Sequence, residues 1–252
     1  GGRVLFRLLD DLKGEVVVPV GVVVAAAGQG KRMRKGFNKQ FIQLGDRPIL
    51  MHTLQAFEHM SFVEQIVVVT SAGDIAKCEA LCRSYNVRKV TDVVAGGKTR
   101  QDSVRIGLNK VRTDWVLVHD GARPFVSEEM VNELLESAQR HGAAVLGVPV
   151  KDTIKKVNVD GIIEETPERQ SMWAVQTPQA FRLSELKRAH ARAREEELAA
   201  TDDAMLMEHL GFDVRIVRGD YYNIKITTPE DLWFAESILQ HMRKMGDRTS
   251  CE

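Results

Sequence analysis

The residues best suited to chemistry lie where a run of small apolar residues meets a run of bases. Val22-Val23-Val24-Ala25-Ala26-Ala27-Gly28-Gln29-Gly30-Lys31-Arg32-Met33 reads as a buried strand that passes into small residues and glycines, then into cations. Small residues let backbone N–H groups approach a ligand closely, and turn-forming glycines aim those donors at one point. Between residues 21 and 45 there is no Asp or Glu, while Lys31, Arg32, Arg34, Lys35 and Lys39 are basic. Positive charge without acidic compensation beside such a turn would attract a polyphosphate. The plainer alternative is a solvated basic loop after an ordinary turn. The spacing is not that of a dinucleotide site, because Met stands at position 33, and it lacks the Gly-Lys-Ser/Thr ending of a P-loop.

Two further residues stand out by position. Asp120 follows the apolar run 115–119, at the carboxyl end of an expected strand, where α/β proteins place ligand groups. Lys225 sits between Ile224 and Ile226 in a strand-like alternation, which would bury it partly and call for an anionic partner. The histidines show no metal-ligand spacing, and His119 is read as structural. Asp202 and Asp203 are read chiefly as acids in the first turn of a helix, complementing its dipole. Arg188, Arg192, Arg194 and the acids 195–197 are read as a solvated helix face with local ion pairs.

These residues need elements to hold them. Near-continuous apolar runs at 21–26, 65–70, 115–119 and 143–148 predict strands buried on both faces of a parallel sheet. Segments 48–60, 74–85, 101–110 and 127–140 carry apolar residues at helical steps and predict the intervening helices, with Asp74 and Ser127 as starts. This alternation implies an α/β domain. At 153–159 and 162–166 two short alternating runs flank Asn158-Val159-Asp160-Gly161, a hairpin signal. Such a hairpin is too small to stand alone and should pack on something, a second subunit included. Beyond it, helices are expected at 183–198 and 201–210, strands near 213–217 and 223–226, and a last helix from Pro229 with Thr228 as its cap.

Composition narrows the class. With 35 Lys+Arg against 35 Asp+Glu the chain of 252 residues is formally neutral. That argues against a general polyanion binder, so no nucleic-acid partner is expected. A hydrophobic fraction of 44% is ordinary for a globular chain and too high for disorder. Cys78, Cys82 and Cys251 are too few for a disulfide scaffold and lack zinc spacing, so they are read as reduced thiols in the cytoplasm. The longest apolar stretch, broken by Pro19 and Gly21, falls short of the roughly 20 residues of a membrane helix. No signal peptide and no membrane partner are expected. Residues 1–19 are read as an N-terminal extension, part of it left by cloning, and residues 20–245 as one domain with a hairpin arm at about 151–172.

The loop motif, continued by Asn38-Lys39-Gln40, resembles the N-terminal signature of the sugar-phosphate nucleotidyltransferases. Further matches are Gly96-Gly97-Lys98-Thr99-Arg100-Gln101-Asp102-Ser103-Val104, His119-Asp120-Gly121-Ala122-Arg123-Pro124 and Pro149-Val150-Lys151-Asp152-Thr153. Gln176-Thr177-Pro178-Gln179, Thr201-Asp202-Asp203-Ala204 and Asn223-Ile224-Lys225 follow in the same order. Together they resemble the 2-C-methyl-D-erythritol 4-phosphate cytidylyltransferase family across most of the chain. The resemblance implies a Rossmann-like three-layer α/β nucleotidyltransferase fold with a mostly parallel sheet and an inserted β-hairpin arm. It implies transfer of CMP from CTP to methylerythritol 4-phosphate, with Mg²⁺ or another divalent cation screening the triphosphate, in a homodimer joined through the arm.

By the same resemblance Arg32 and Lys39 would stabilise the transition state at the triphosphate. Arg169 and Lys225 would orient the attacking phosphate, Arg169 from the partner's arm. Ala26, Ala27, Gly28, Gly30, Gly97, Ser103, Asp120 and Gly121 would bind CTP, and Asp120 would also be the metal's one carboxylate. Ser103 reads equally well as an ordinary polar residue of a helix start. Arg123, Thr153 and Thr201 would contact the methylerythritol moiety. Family members often carry Pro where this chain has Ala25 and Asn38, which predicts weaker preorganisation rather than lost activity. Two other readings stay open: ribitol 5-phosphate as the acceptor, and a nucleotide-binding regulatory module without catalysis.

Overall fold

The computed structural model describes residues 18–28 and 38–249. A seven-stranded sheet runs through the centre. In chain order its strands are β1 (Val20–Ala25), β4 (Val63–Thr70), β5 (Val90–Ala95), β6 (Trp115–Asp120), β7 (Ala143–Pro149), β10 (Trp173–Arg182) and β11 (Val214–Arg218). The short strands β2 (Gln43–Leu44) and β3 (Arg47–Pro48) pair with each other, as do β8 (Lys156–Val157) and β9 (Ile163–Glu165). The sheet order is β11-β7-β10-β6-β1-β4-β5. All of its neighbours are parallel except β10, which runs antiparallel to β6 and β7.

The β-branched runs form the middle of this sheet because both of their faces are covered. Along β1, Val20, Val22 and Val24 join one core with Leu50, Leu54 and Phe57 of α1 (Ile49–Glu58) and Cys78 of α2 (Ile75–Ser84). Val131 and Leu134 of α4 (Glu128–His141) lie on the same side. Val23 points the other way, into a core with Val104 and Leu108 of α3 (Arg100–Leu108). Leu186 of α5 (Leu183–Glu195) and Leu206 of α6 (Asp203–His209) complete that second core. The period-two alternation of a strand therefore produces three layers. A smaller cluster of Leu44, Ile49, Phe125, Ile226 and Ala235 anchors α7 (Pro229–Thr249).

Four expected strands and four expected helices appear within two or three residues of their predicted limits. Ser127 caps α4, its Oγ accepting from the Met130 N–H at 3.3 Å. Asp74 precedes α2 but makes no side-chain capping bond. At α7 the cap runs from inside the helix: Asp231 Oδ2 accepts from Thr227 N–H at 2.8 Å and Thr228 N–H at 2.9 Å. The hairpin also forms. Gly161 takes φ +79°, and Asn158 Oδ1 accepts from Asp160 and Ile162 N–H at 3.0 and 2.9 Å. Only the left-handed region closes this turn, so a Cβ at 161 would be strained even in open space.

Three expectations change. β5 was not expected, because Thr91 and Asp92 interrupt its apolar run and the strand is an only half-buried edge. β10 was not expected either, since Gln176-Thr177-Pro178-Gln179 reads as polar loop. The segment 223–226, expected as a strand, joins no sheet. Its polar groups go to separate partners instead: Arg123 Nη1 donates to Asn223 O at 2.7 Å, Asn223 Nδ2 to Thr177 O at 2.9 Å, and Ile226 N–H to Ala122 O at 2.9 Å. Among the described residues no helix is long and apolar enough to cross a membrane. Cys78 and Cys82 are buried and free.

Candidate active site

The central strands β1 and β6 end side by side, with Ala25 in register with Asp120 and Gly121 N–H bonded to Ala25 O at 3.0 Å. Their carboxyl ends form the floor of a cavity of about 430 Å³. Ala25 and, just beyond β1, Ala27 and Gly28 line it, as do Asp120 of β6 and Ala122 just beyond that strand. Gly97, Lys98, Thr99, Arg100 and Ser103 come from the β5–α3 connection, Lys39 and Gln40 from the turn 39–41, and Lys225 from the β11–α7 connection.

Each wall has a local cause. Thr99 caps α3, accepting from Asp102 N–H at 3.0 Å. Ser103 Oγ accepts from Gly97 N–H at 3.1 Å and donates to Thr99 O at 2.9 Å, pinning the glycine turn against the helix start. A Cβ on Gly97 would lie 2.5 Å from Asp102 Cβ, so the turn is closed to any other residue as it stands. The helix N-terminus so presented favours an anion. Asn38 donates from Nδ2 to Ala26 O at 2.8 Å, and its Oδ1 accepts from Gln40 N–H at 3.2 Å. Where the lack of Pro predicts weaker preorganisation, this side chain ties the turn bearing Lys39 to the end of β1.

Asp120 is the only carboxylate among the described lining residues, and cations surround it. Its Oδ1 lies 3.1 Å from both Nε and Nη2 of Arg100. Its Oδ2 lies 2.9 Å from Lys225 Nζ and 3.8 Å from Arg123 Nε. Burial alone would raise the Asp120 pKa, but the charges of Arg100, Lys225 and Arg123 outweigh it and hold the carboxyl well below its ordinary range. Lys39, Lys98, Arg100 and Lys225 therefore face one fixed negative charge, which leaves the cavity strongly cationic. Arg100 was not singled out from sequence, although its motif was. Asp203 is the first-turn acid expected, and it is also buried and paired with Arg100 at 3.1 Å. Asp202 stands one residue earlier as the cap, its Oδ1 accepting from Met205 N–H at 2.9 Å.

Of the expected site residues, Ala27, Gly28, Lys39, Gly97, Ser103, Asp120 and Lys225 meet at this cavity. Ala26 is buried just behind it, and Gly121 and Arg123 support it without lining it. Thr153, Arg169 and Thr201 are exposed and do not line it within the single chain. Gly30 and Arg32 lie outside the described residues. No group of three or more His, Cys, Asp or Glu among the described residues could hold a metal ion.

His119 is structural. Fully buried, it contacts Arg123 O through Nε2 at 2.9 Å and Thr177 Oγ1 through Nδ1 at 3.0 Å. Thr177 Oγ1 in turn accepts from Asp120 N–H at 3.0 Å. This pattern fits a neutral ring with the proton on Nε2. Burial lowers its pKa from 6.5 to about 4. The unfolded chain thus binds one more proton between those values, and stability falls as pH drops from 6.5 toward 4. The loss is about 3 kcal/mol at a rate of about 1.4 kcal/mol per pKa unit. Denaturant midpoints at pH 7 and pH 4.5 should show a drop that is smaller in His119→Gln. An equal drop in both proteins would refute the assignment.

An α/β sheet whose strand ends carry a glycine turn, a helix N-terminus and a ring of cations forms a cleft suited to a polyanionic ligand. The profile of the family described as "IspD: 2-C-methyl-D-erythritol 4-phosphate cytidylyltransferase" matches residues 20–241. The 2-C-methyl-D-erythritol 4-phosphate cytidylyltransferase of Halalkalibacterium halodurans is 52% identical over 219 residues, 86% of this chain and 96% of that protein. Its counterpart in Alkaliphilus metalliredigens is 48% identical over 240 residues, 94% of this chain and 99% of that protein. The crystal structure of the Thermus thermophilus enzyme superposes with a TM-score of 0.73 at 36% identity, covering 88% of this chain and all of that one (100%). The chain belongs to the 2-C-methyl-D-erythritol 4-phosphate cytidylyltransferase family of nucleotidyltransferases. Membership decides between the two acceptors in favour of methylerythritol 4-phosphate over ribitol 5-phosphate, and for an enzyme over a regulatory module.

Proposed function

We propose the following division of labour for cytidylyl transfer from CTP to 2-C-methyl-D-erythritol 4-phosphate. An oxygen of the acceptor phosphate attacks the α-phosphorus of CTP, the bond to the bridging oxygen breaks, and diphosphate leaves. No covalent intermediate with the protein is required. The chain must bring two anions together and stabilise charge on the transferring phosphoryl group. The ring of cations around Asp120 is the observation that carries this reading.

Ala26, Ala27, Gly28, Gly30, Gly97, Ser103 and Gly121 shape the CTP side, mostly through backbone groups. Arg32 and Lys39 act on the triphosphate. Lys225 holds the acceptor phosphate beside it, and Asp120 holds Lys225 in place. A divalent cation would find one protein carboxylate here, Asp120, and would take its other oxygens from the triphosphate. Bound so, it would screen negative charge.

The enzyme works as a homodimer through the arm at 151–172. Within one chain the hairpin leaves Val157, Val159, Ile162 and Ile163 exposed by 54, 102, 62 and 55%, and a two-stranded hairpin is not stable without cover. Arg169, exposed on the arm with Nη1 on Lys151 O at 3.2 Å, reaches the partner's cleft. Thr153 accompanies it to the acceptor, and Arg123 and Thr201 complete the acceptor side. A cytoplasmic location accords with the buried free thiols.

Mixing Arg169→Ala with Lys39→Ala subunits tests the shared site. One cleft of each heterodimer then combines intact residues from both chains. Diphosphate release from CTP with methylerythritol 4-phosphate should recover to about a quarter of wild type in a random mixture, and ribitol 5-phosphate should not support it. No recovery in verified heterodimers would refute sharing.

A further inference from the structure

Arg100 is pulled from two sides. Its Nε and Nη2 meet Asp120 Oδ1 at 3.1 Å, and its Nη1 meets Asp203 Oδ2 at 3.1 Å. Asp203 is itself held from behind, Oδ1 lying 2.9 Å from His190 Nε2. The side chains of Asp203 and His190 are 2% and 1% exposed. The four groups come from β6, α3, α6 and α5, so a file of side chains runs from the cleft floor through the second core layer.

Burying a carboxylate costs free energy that one shared guanidinium offsets only in part. Asp202, the adjacent residue, already caps α6, so Asp203 is not needed for that task. What Asp203 does is fix one edge of the Arg100 guanidinium, whose other edge then occupies Asp120 Oδ1. That leaves Oδ2 for Lys225. Were Arg100 free to turn away, both oxygens of Asp120 could close on Lys225 and draw its ammonium from the cleft.

We propose that Asp203, backed by His190, is a positioning residue for the transfer reaction: through Arg100 it sets the orientation of Asp120 and so the availability of Lys225. The proposal rests on the reading of Asp120 and Lys225 given above. Asp203 touches no reacting atom. Its effect must therefore pass through Asp120, which a merely structural buried ion pair would not require.

Coupling between the two positions is the test. At a temperature well below unfolding for every variant, Asp203→Asn is expected to lower kcat/KM by about 30- to 100-fold, the size of effect a displaced catalytic group produces. In an Asp120→Asn background the same change is expected to cost less than about threefold. Multiplicative losses in the double variant, or an Asp203→Asn enzyme as active as wild type beside a crippled Asp120→Asn, would overturn the proposal. A fully active Asp120→Asn would overturn the underlying reading of the cleft and the proposal with it. Should Asp203→Asn fail to fold, the outer end of the file decides. His190→Gln, which keeps a donor toward Asp203, should stay within about threefold of wild type, while His190→Leu should lose about tenfold or more. Equal kcat/KM for the two folded His190 variants would refute the positioning role.

Discussion

Lys39→Ala is expected to lower kcat by about 10²- to 10³-fold while CTP affinity changes by less than about threefold. Lys39 lines the cavity on the turn that Asn38 fastens to the end of β1. Its backbone is therefore fixed at the cavity wall before any ligand arrives. The helix N-terminus at Thr99 and Lys98 line the same cavity, so ground-state binding of a triphosphate there would be spread over several groups. Charge that develops only in the transition state has fewer partners, and removing one of them is felt mainly in turnover. Single-turnover rates together with CTP titration by calorimetry would separate the two effects. Equal losses in rate and affinity would mean that Lys39 binds substrate and transition state alike.

Asp120→Asn should be damaging in two ways at once. The substitution keeps the shape of the side chain and removes the negative charge that Arg100, Lys225 and Arg123 share. Removing one partner of a fully buried pair costs about 3–5 kcal/mol, and the cost here should fall below that because Arg100 and Lys225 are 31% and 38% exposed. The denaturant midpoint should fall accordingly, by less if Asp203 takes up more of Arg100. Activity should fall about 10³-fold even where the variant is fully folded, because Lys225 and Arg100 lose their reference point. Full activity in the folded variant would show that the cations hold their places without it.

The parts of this fold that sequence made legible are those whose signal is local. The valine-rich strands β1 and β4 are buried on both faces, so their composition already reports their surroundings. The hairpin turn is specified by Asn158 and Gly161 within a few residues. β10 was not legible because its polar centre is compensated by distant groups. Gln176 Nε2 donates to Asp220 O at 2.8 Å, Gln179 Nε2 to Asp202 Oδ2 at 3.0 Å, and Thr177 Oγ1 accepts from Asp120 N–H at 3.0 Å. A buried polar strand looks like a loop until its partners are placed. The alternation of Ile224, Lys225 and Ile226 misled in the opposite sense. Both isoleucines do turn inward, but toward α7 and not toward the sheet.

The candidate site divides the same way. Gly28, Gly97 and Lys39 stand in motifs that carry their own turn chemistry, and Asp120 is marked by the strand it ends. Arg100 carries no mark of its own. Its meaning comes from Asp120 and Asp203, 20 and 103 residues away. Arg169 is assigned a role by family resemblance alone, since in its own chain it is exposed and off the cavity, with its side chain bonded to Lys151 O at 3.2 Å.

The small cluster beneath α7 has a consequence for how such an enzyme could be retuned. Lys39 is followed by Ile42 and Leu44, and Lys225 is flanked by Ile224 and Ile226; all four apolar residues pack in that cluster. The two ammonium groups thus share one foundation lying outside the cleft. A methylene added or removed there is transmitted through close packing to both supports. The spacing of the two ammonium groups is, in effect, calibrated from below, by residues that do not line the cleft.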